Sequence, residues 1–186
     1  MNRLIHMAAT AAALSLMAVA ACAAPASSGV IHGPAITDAG AFHAVPHAAY
    51  EPNPAATYKI VFPLTARSRN PGDVNPGLET VARLVNTYAY SGVPTDHMKF
   101  VAVAYGPATS LVLDDAHYRK LFGVSNPNLP VLQQLMQHGV HVTVCGQALA
   151  GKHYQAGWVA KGIPVSLSAL TTLTELQQKG YVVARL

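Results

Sequence analysis

Three consecutive segments decide the fold: Tyr58-Lys-Ile-Val-Phe-Pro-Leu64, Asn75-Pro-Gly-Leu-Glu-Thr-Val-Ala-Arg-Leu-Val-Asn-Thr-Tyr-Ala-Tyr-Ser-Gly92 and Lys99-Phe-Val-Ala-Val-Ala-Tyr105. The first and third are short apolar runs that read as strands, the third closed by Gly106-Pro107. The middle one opens with a capping asparagine and a proline in the first turn, where the missing N–H costs nothing. Its Leu78, Val81, Ala82, Val85, Tyr88 and Ala89 recur at offsets of three and four, which makes one apolar helical face. Gly92 ends it. This is a strand–helix–strand unit.

The same alternation continues downstream. Asp114 or Asp115 can cap a short helix through Leu121, stopped by Gly123, and Asn128 caps another that turns Leu129, Leu132, Leu135 and Met136 inward. A third strand is expected over 140–145 and a fourth over 163–167. Ser168 then caps a helix carrying Leu170 and Leu173 up to Gly180, and 181–184 closes as a fifth strand. Strands alternating with helices through short loops predict an α/β domain over 57–186, with a mostly parallel five-stranded sheet and helices on both faces. That length buries a normal core without disulfides or metal.

The chain has 186 residues, and its 11% charged fraction excludes a polyelectrolyte. Two cysteines exclude a disulfide scaffold, a four-thiolate zinc site and a cysteine-ligated iron–sulfur cluster. The net charge of +4 is small and scattered, with no basic stripe or aromatic platform, so no nucleic-acid partner is expected. No phosphate-loop or dinucleotide fingerprint is present. No metal and no cofactor is expected.

Residues 1–23 read as a signal peptide: Arg3, then an uncharged apolar run over 7–21, too short to span a bilayer, then small residues. Two readings of its end stay open. Ala21-Cys22-Ala23 fits cleavage before Ala24, giving a soluble periplasmic or secreted protein. Val19-Ala-Ala-Cys22 instead resembles a lipobox, in which Cys22 is acylated and anchors the chain to a membrane. Residues 24–56, rich in Ala, Pro, Gly and His, read as a flexible linker or loosely packed arm, with His32, His43 and His47 as linker histidines.

In a parallel α/β sheet, ligands bind at the carboxyl ends of the strands. That edge carries the segments 65–75, 106–109, the residues after 145, and 167–168, and Cys145 ends a strand on it. Cys22 is either discarded or lipidated, so Cys145 is the single thiol of the mature chain. Most free cysteines are small buried hydrophobes. Three features favour chemistry: Gly146 allows a sharp turn, a helix starting near Gln147 points amides at the sulfur, and Lys152 and His153 add positive charge nearby. His141 is about 13 Å along the strand from Cys145, too far to share a metal.

The run Gly139-Val-His-Val-Thr-Val-Cys145-Gly-Gln-Ala-Leu-Ala150 resembles the cysteine segment of the DsrE/DsrF-like family. The likeness extends through Tyr105-Gly-Pro-Ala108, Tyr118-Arg-Lys-Leu-Phe-Gly-Val-Ser-Asn-Pro-Asn128, Ser168-Ala-Leu-Thr171 and Leu176-Gln-Gln-Lys-Gly-Tyr181, and is similar to the secreted branch of that family. The resemblance implies a flavodoxin-like three-layer sandwich assembled as a homotrimer or larger oligomer. It also implies sulfur trafficking, with Cys145 accepting and passing on sulfane sulfur as a sulfurtransferase or carrier. Two departures matter. A signal peptide separates the chain from tRNA thiolation, and Lys152-His153 stands where relay members tend to carry two arginines.

The expected site is therefore catalytic Cys145, with Gly146, Gln147, Lys152, His153, Arg67, Arg69 and Tyr105 around a small anionic sulfur species or a sulfur donor or acceptor protein. The alternative is a non-catalytic oligomeric binding or envelope-associated module in which Cys145 is structural.

Overall fold

The computed structural model describes residues 29–185, so the leader and Cys22 lie outside the described residues. The described chain forms strands β1 (Val30–Ile31), β2 (Phe42–His43), β3 (Tyr58–Leu64), β4 (Met98–Ala104), β5 (His141–Cys145), β6 (Val165–Ser166) and β7 (Val182–Val183). Helices α1 (Pro76–Tyr90), α2 (Asp115–Phe122), α3 (Asn128–Gln137), α4 (Gly146–Gly151) and α5 (Ala169–Gln178) connect them. β3 to β7 make one sheet in the order β6-β5-β4-β3-β7, and every pairing is parallel. The α/β class expected from the sequence is the class observed.

The strand order explains the layers. From β3 the chain steps through β4 and β5 to β6 in one direction, then crosses back to place β7 beyond β3. Right-handed crossovers put helices of the outward walk on one face and the helix of the return on the other. Phe62, Phe100 and Val144 accordingly pack with Leu78 and Val81 of α1 and Leu132 of α3. Val61, Val103 and Cys145, pointing the other way, pack with Ala169, Leu173 and Leu176 of α5. The period of two along each strand divides these cores.

Local chemistry sets the helix ends. Asn75 accepts the Gly77 N–H at 2.9 Å, Asp114 accepts that of His117 at 2.8 Å, and Ser168 that of Thr171 at 3.1 Å. Gly123 closes α2 at φ +76°, a conformation that favours glycine. Asn128 differs from expectation. It is the first residue of α3 rather than its cap, because its carboxamide is engaged elsewhere, accepting the Asn75 N–H at 2.7 Å.

Part of the stretch read as a tether or arm is ordered. Within 24–56, residues 30–43 form an ordered arm docked on α1. β1 and β2 pair antiparallel, Ile36 is fully buried, and Phe42 packs edge-on against Tyr90. The cause is Asn86, buried on α1, whose Oδ1 accepts the Ala35 and Ile36 N–H groups and whose Nδ2 donates to the carbonyls of Ile36, Ala39 and Gly40. Gly40 runs so close to the Ala82–Arg83 backbone, at φ +74°, that no side chain fits. Gln134 of α3 adds a bond from Thr37 at 2.8 Å. An irregular segment held by such distant polar contacts shows no periodicity in sequence.

Candidate functional site

Three of the four segments expected at the carboxyl edge converge on one cavity of about 630 Å³. The β3–α1 loop contributes Arg67, Arg69 and Asn75. The 3-10 stretch Gly106–Val112 after β4 contributes Pro107, Ser110 and Leu111. Tyr118 and Phe122 of α2, Asn128 of α3, and Lys152 and Tyr154 after α4 complete the wall.

Asparagines fix these segments to one another. Asn75 donates through Nδ2 to the Ala66 carbonyl at 2.8 Å, Asn128 bonds Asn75 and Asn126, and Asn126 donates to the carbonyls of Leu111 and Leu113. All three are buried, and among the described residues no buried side-chain polar atom lacks a partner. A fully satisfied buried network of this kind holds its loops rigidly. Tyr118 donates its hydroxyl to the Pro71 carbonyl at 2.8 Å. Burial pushes the phenols of Tyr118 and Tyr154 up from the ordinary tyrosine value, so both stay neutral donors.

Cys145 is elsewhere. The residue is 5% exposed, lies in the α5-side core, and does not line the cavity. Val144 before it faces the α1 side, and strand alternation sends the next residue to the opposite face. Cys145 is also the N-cap residue of the six-residue α4, without a side-chain capping bond. A Cβ on Gly146 would sit 2.8 Å from the Ser166 carbonyl oxygen, so glycine is required there for β5 and β6 to pair.

The structure thus divides the expected site. Arg67, Arg69 and Lys152 come together in the cavity. Tyr105, half-buried, packs with the Cys145 cluster. Gln147 is exposed and donates to the Leu167 carbonyl at 3.4 Å, tying α4 to the β6–α5 loop. His153 is exposed, does not line the cavity, and adopts φ +56° just after α4.

Sequence reasoning missed Tyr118, Tyr154 and the asparagine network. The Asn126-Pro-Asn128 spacing was their one visible trace. It also missed a His117–Asp114 pair whose Nδ1···Oδ1 distance is 2.8 Å, with the imidazole stacked 4.6 Å from Trp158. Among the described residues there is no group of three metal-ligating side chains, and no helix is long and apolar enough to cross a membrane.

A comparison with curated proteins returns no match. Among solved structures, the chain is similar to a protein of unknown function, MTH1491, from Methanobacterium thermoautotrophicum, at 16% identity and a TM-score of 0.49. That match covers 69% of this chain and 99% of the other. The family model described as the DsrE/DsrF-like family matches residues 65–184, more than half of the chain and the whole run from the end of β3 past β7. By that match, the chain belongs to the DsrE/DsrF-like family.

Proposed function

We propose that this is an exported sulfur-handling protein that carries sulfane sulfur on Cys145. What supports it is the place of that residue in a chain of this family: the one free thiol among the described residues, at the junction of a central strand and a helix, on the sheet edge where α/β proteins put their chemistry. With an anionic donor such as thiosulfate, the Cys145 thiolate attacks the sulfane sulfur. A cysteine–sulfur bond forms, the donor's S–S bond breaks, and sulfite leaves with the electron pair, so the persulfide forms without an external oxidant. Arg67, Arg69 and Lys152 make the same edge electropositive, which raises the local concentration of such an anion. At 5% exposure, a persulfide on Cys145 would be shielded from stray reductants.

The test is intact mass after incubating the mature protein with thiosulfate or polysulfide. A 32 Da gain in the wild type, absent in Cys145→Ala, is the expected result (roughly the mass of one sulfur). No adduct, together with no alkylation of native Cys145, overturns the proposal. Export is read from the mature N-terminus, as a diacylglyceryl group on Cys22 or a start at Ala24.

The burial of Cys145 favours a second reading, an oligomeric binding or envelope-associated module in which the thiol is structural. Leu167 and Leu170, exposed beside α5, would then belong to subunit packing.

A further inference from the structure

We propose that the cavity at the carboxyl edge binds an organic anion with a flat apolar body, and that it does so independently of Cys145. The inference goes beyond the sulfur reading, because the thiol and the cavity lie on opposite faces of the sheet.

Charge is the first argument. Arg67, Arg69 and Lys152 line one cavity, and none has an ion-pair partner among the described residues. No Asp or Glu lines it, and the one acid of the adjacent loop, Asp73, is engaged by Asn70 Nδ2 at 2.8 Å. Three uncompensated cations around one concavity repel one another, and an anion removes that repulsion. Arginine forks match the oxygens of carboxylate, sulfonate or phosphate in pairs.

Size and apolar surface come next. At about 630 Å³ the cavity is many times the volume of an inorganic anion, and it falls in the roughly 300–1,000 Å³ range of small-molecule sites. Phe122 lines it while remaining 36% exposed, with the Tyr118 ring 4.6 Å away. Pro107 and Leu111 widen this apolar wall. An aromatic surface left half-open inside a polar rim is best covered by a flat ligand. The asparagine network beneath is satisfied internally, so the cavity is preformed and little ordering cost falls on binding.

Phenyl phosphate is a suitable probe, titrated calorimetrically into the mature protein beside inorganic phosphate and phenol. The expected result is saturable 1:1 binding of phenyl phosphate, with phosphate and phenol each at least about tenfold weaker. Arg69→Gln and Lys152→Gln, both exposed and so compatible with folding, should each weaken it by roughly tenfold. Phe122→Ala should weaken phenyl phosphate and leave inorganic phosphate unchanged, and Cys145→Ala should change neither. Absence of saturable binding, equal affinity for phosphate and phenyl phosphate, or indifference to both charge substitutions overturns the proposal, and loss of binding in Cys145→Ala overturns its independence. A Cys145 persulfide without phenyl phosphate binding removes this inference and leaves the sulfur reading standing. Binding without a persulfide does the reverse.

Discussion

The carboxamide of Asn86 accepts the Ile36 N–H at 2.7 Å and donates back to the Ile36 carbonyl at 2.9 Å, so one buried side chain on α1 completes the backbone bonding of a segment 50 residues earlier. Asn86→Leu keeps the volume but leaves those backbone groups unpaired in a dry site. The expected cost is about 2–3 kcal/mol. Urea denaturation measures it, and thermolysin cleavage within 30–43 should accelerate far more than cleavage of the domain. An unchanged cleavage rate would show that the arm is held by apolar contacts alone.

Gly146 offers a test with an unusual sign. Glycine to alanine at an exposed helical position normally stabilises by about 1 kcal/mol. Here the new methyl would meet the Ser166 carbonyl, a backbone atom in a paired strand that cannot swing aside. Gly146→Ala should instead destabilise by about 1–3 kcal/mol, read as a lower urea midpoint.

Acid should weaken the fold through α2. Burial raises the Asp114 carboxyl, but bonds from the His117 backbone and ring, the His117 charge and the Ala116 N–H together outweigh it and hold the group below its ordinary value. Asp115 is held low first by its hydrogen bond from Arg119, with help from the Asn126 N–H. A carboxylate depressed in the folded state stabilises it above the unfolded value and loses that contribution as pH falls through the folded one. Stability should therefore decline below about pH 4, and Asp114→Asn, which still caps a helix, should lose that carboxylate contribution at pH 7 and so show a shallower decline toward acid. Emission of Trp158, the single tryptophan and the stacking partner of His117, reports the transition. An identical acid limb in the variant would count against the assignment.

His153 sits at φ +56°, in the left-handed region that glycine tolerates and β-branched residues do not. His153→Gly is expected to leave the melting temperature unchanged or raised. His153→Val should cost about 1–2 kcal/mol. Equal stability of the two variants would indicate that the backbone relaxes.

Much of this protein was legible in its sequence. The run 58–64 reads as a strand, and β3 occupies those positions. The caps Asn75, Asp114 and Ser168 and the stop at Gly123 follow from short-range hydrogen bonding and backbone sterics, which neighbours in sequence determine. The cysteine segment carried the family resemblance, and the family match agrees with it. β6 and β7 were placed correctly but drawn too long, because an edge strand is defined by how far one partner runs beside it.

What only the tertiary structure decided is which side of the sheet each functional group faces. Cys145, Arg67, Arg69 and Lys152 share an edge in sequence logic, yet the pleat turns the thiol toward α5 while the loops gather the cations on the α1 side. The arm was invisible for the same reason: Asn86 recognises backbone groups, and backbone groups carry no sequence signature. Short-range chemistry wrote the elements and put the Cys145 thiol at the end of a strand. Long-range packing separated that thiol from the cavity beside it.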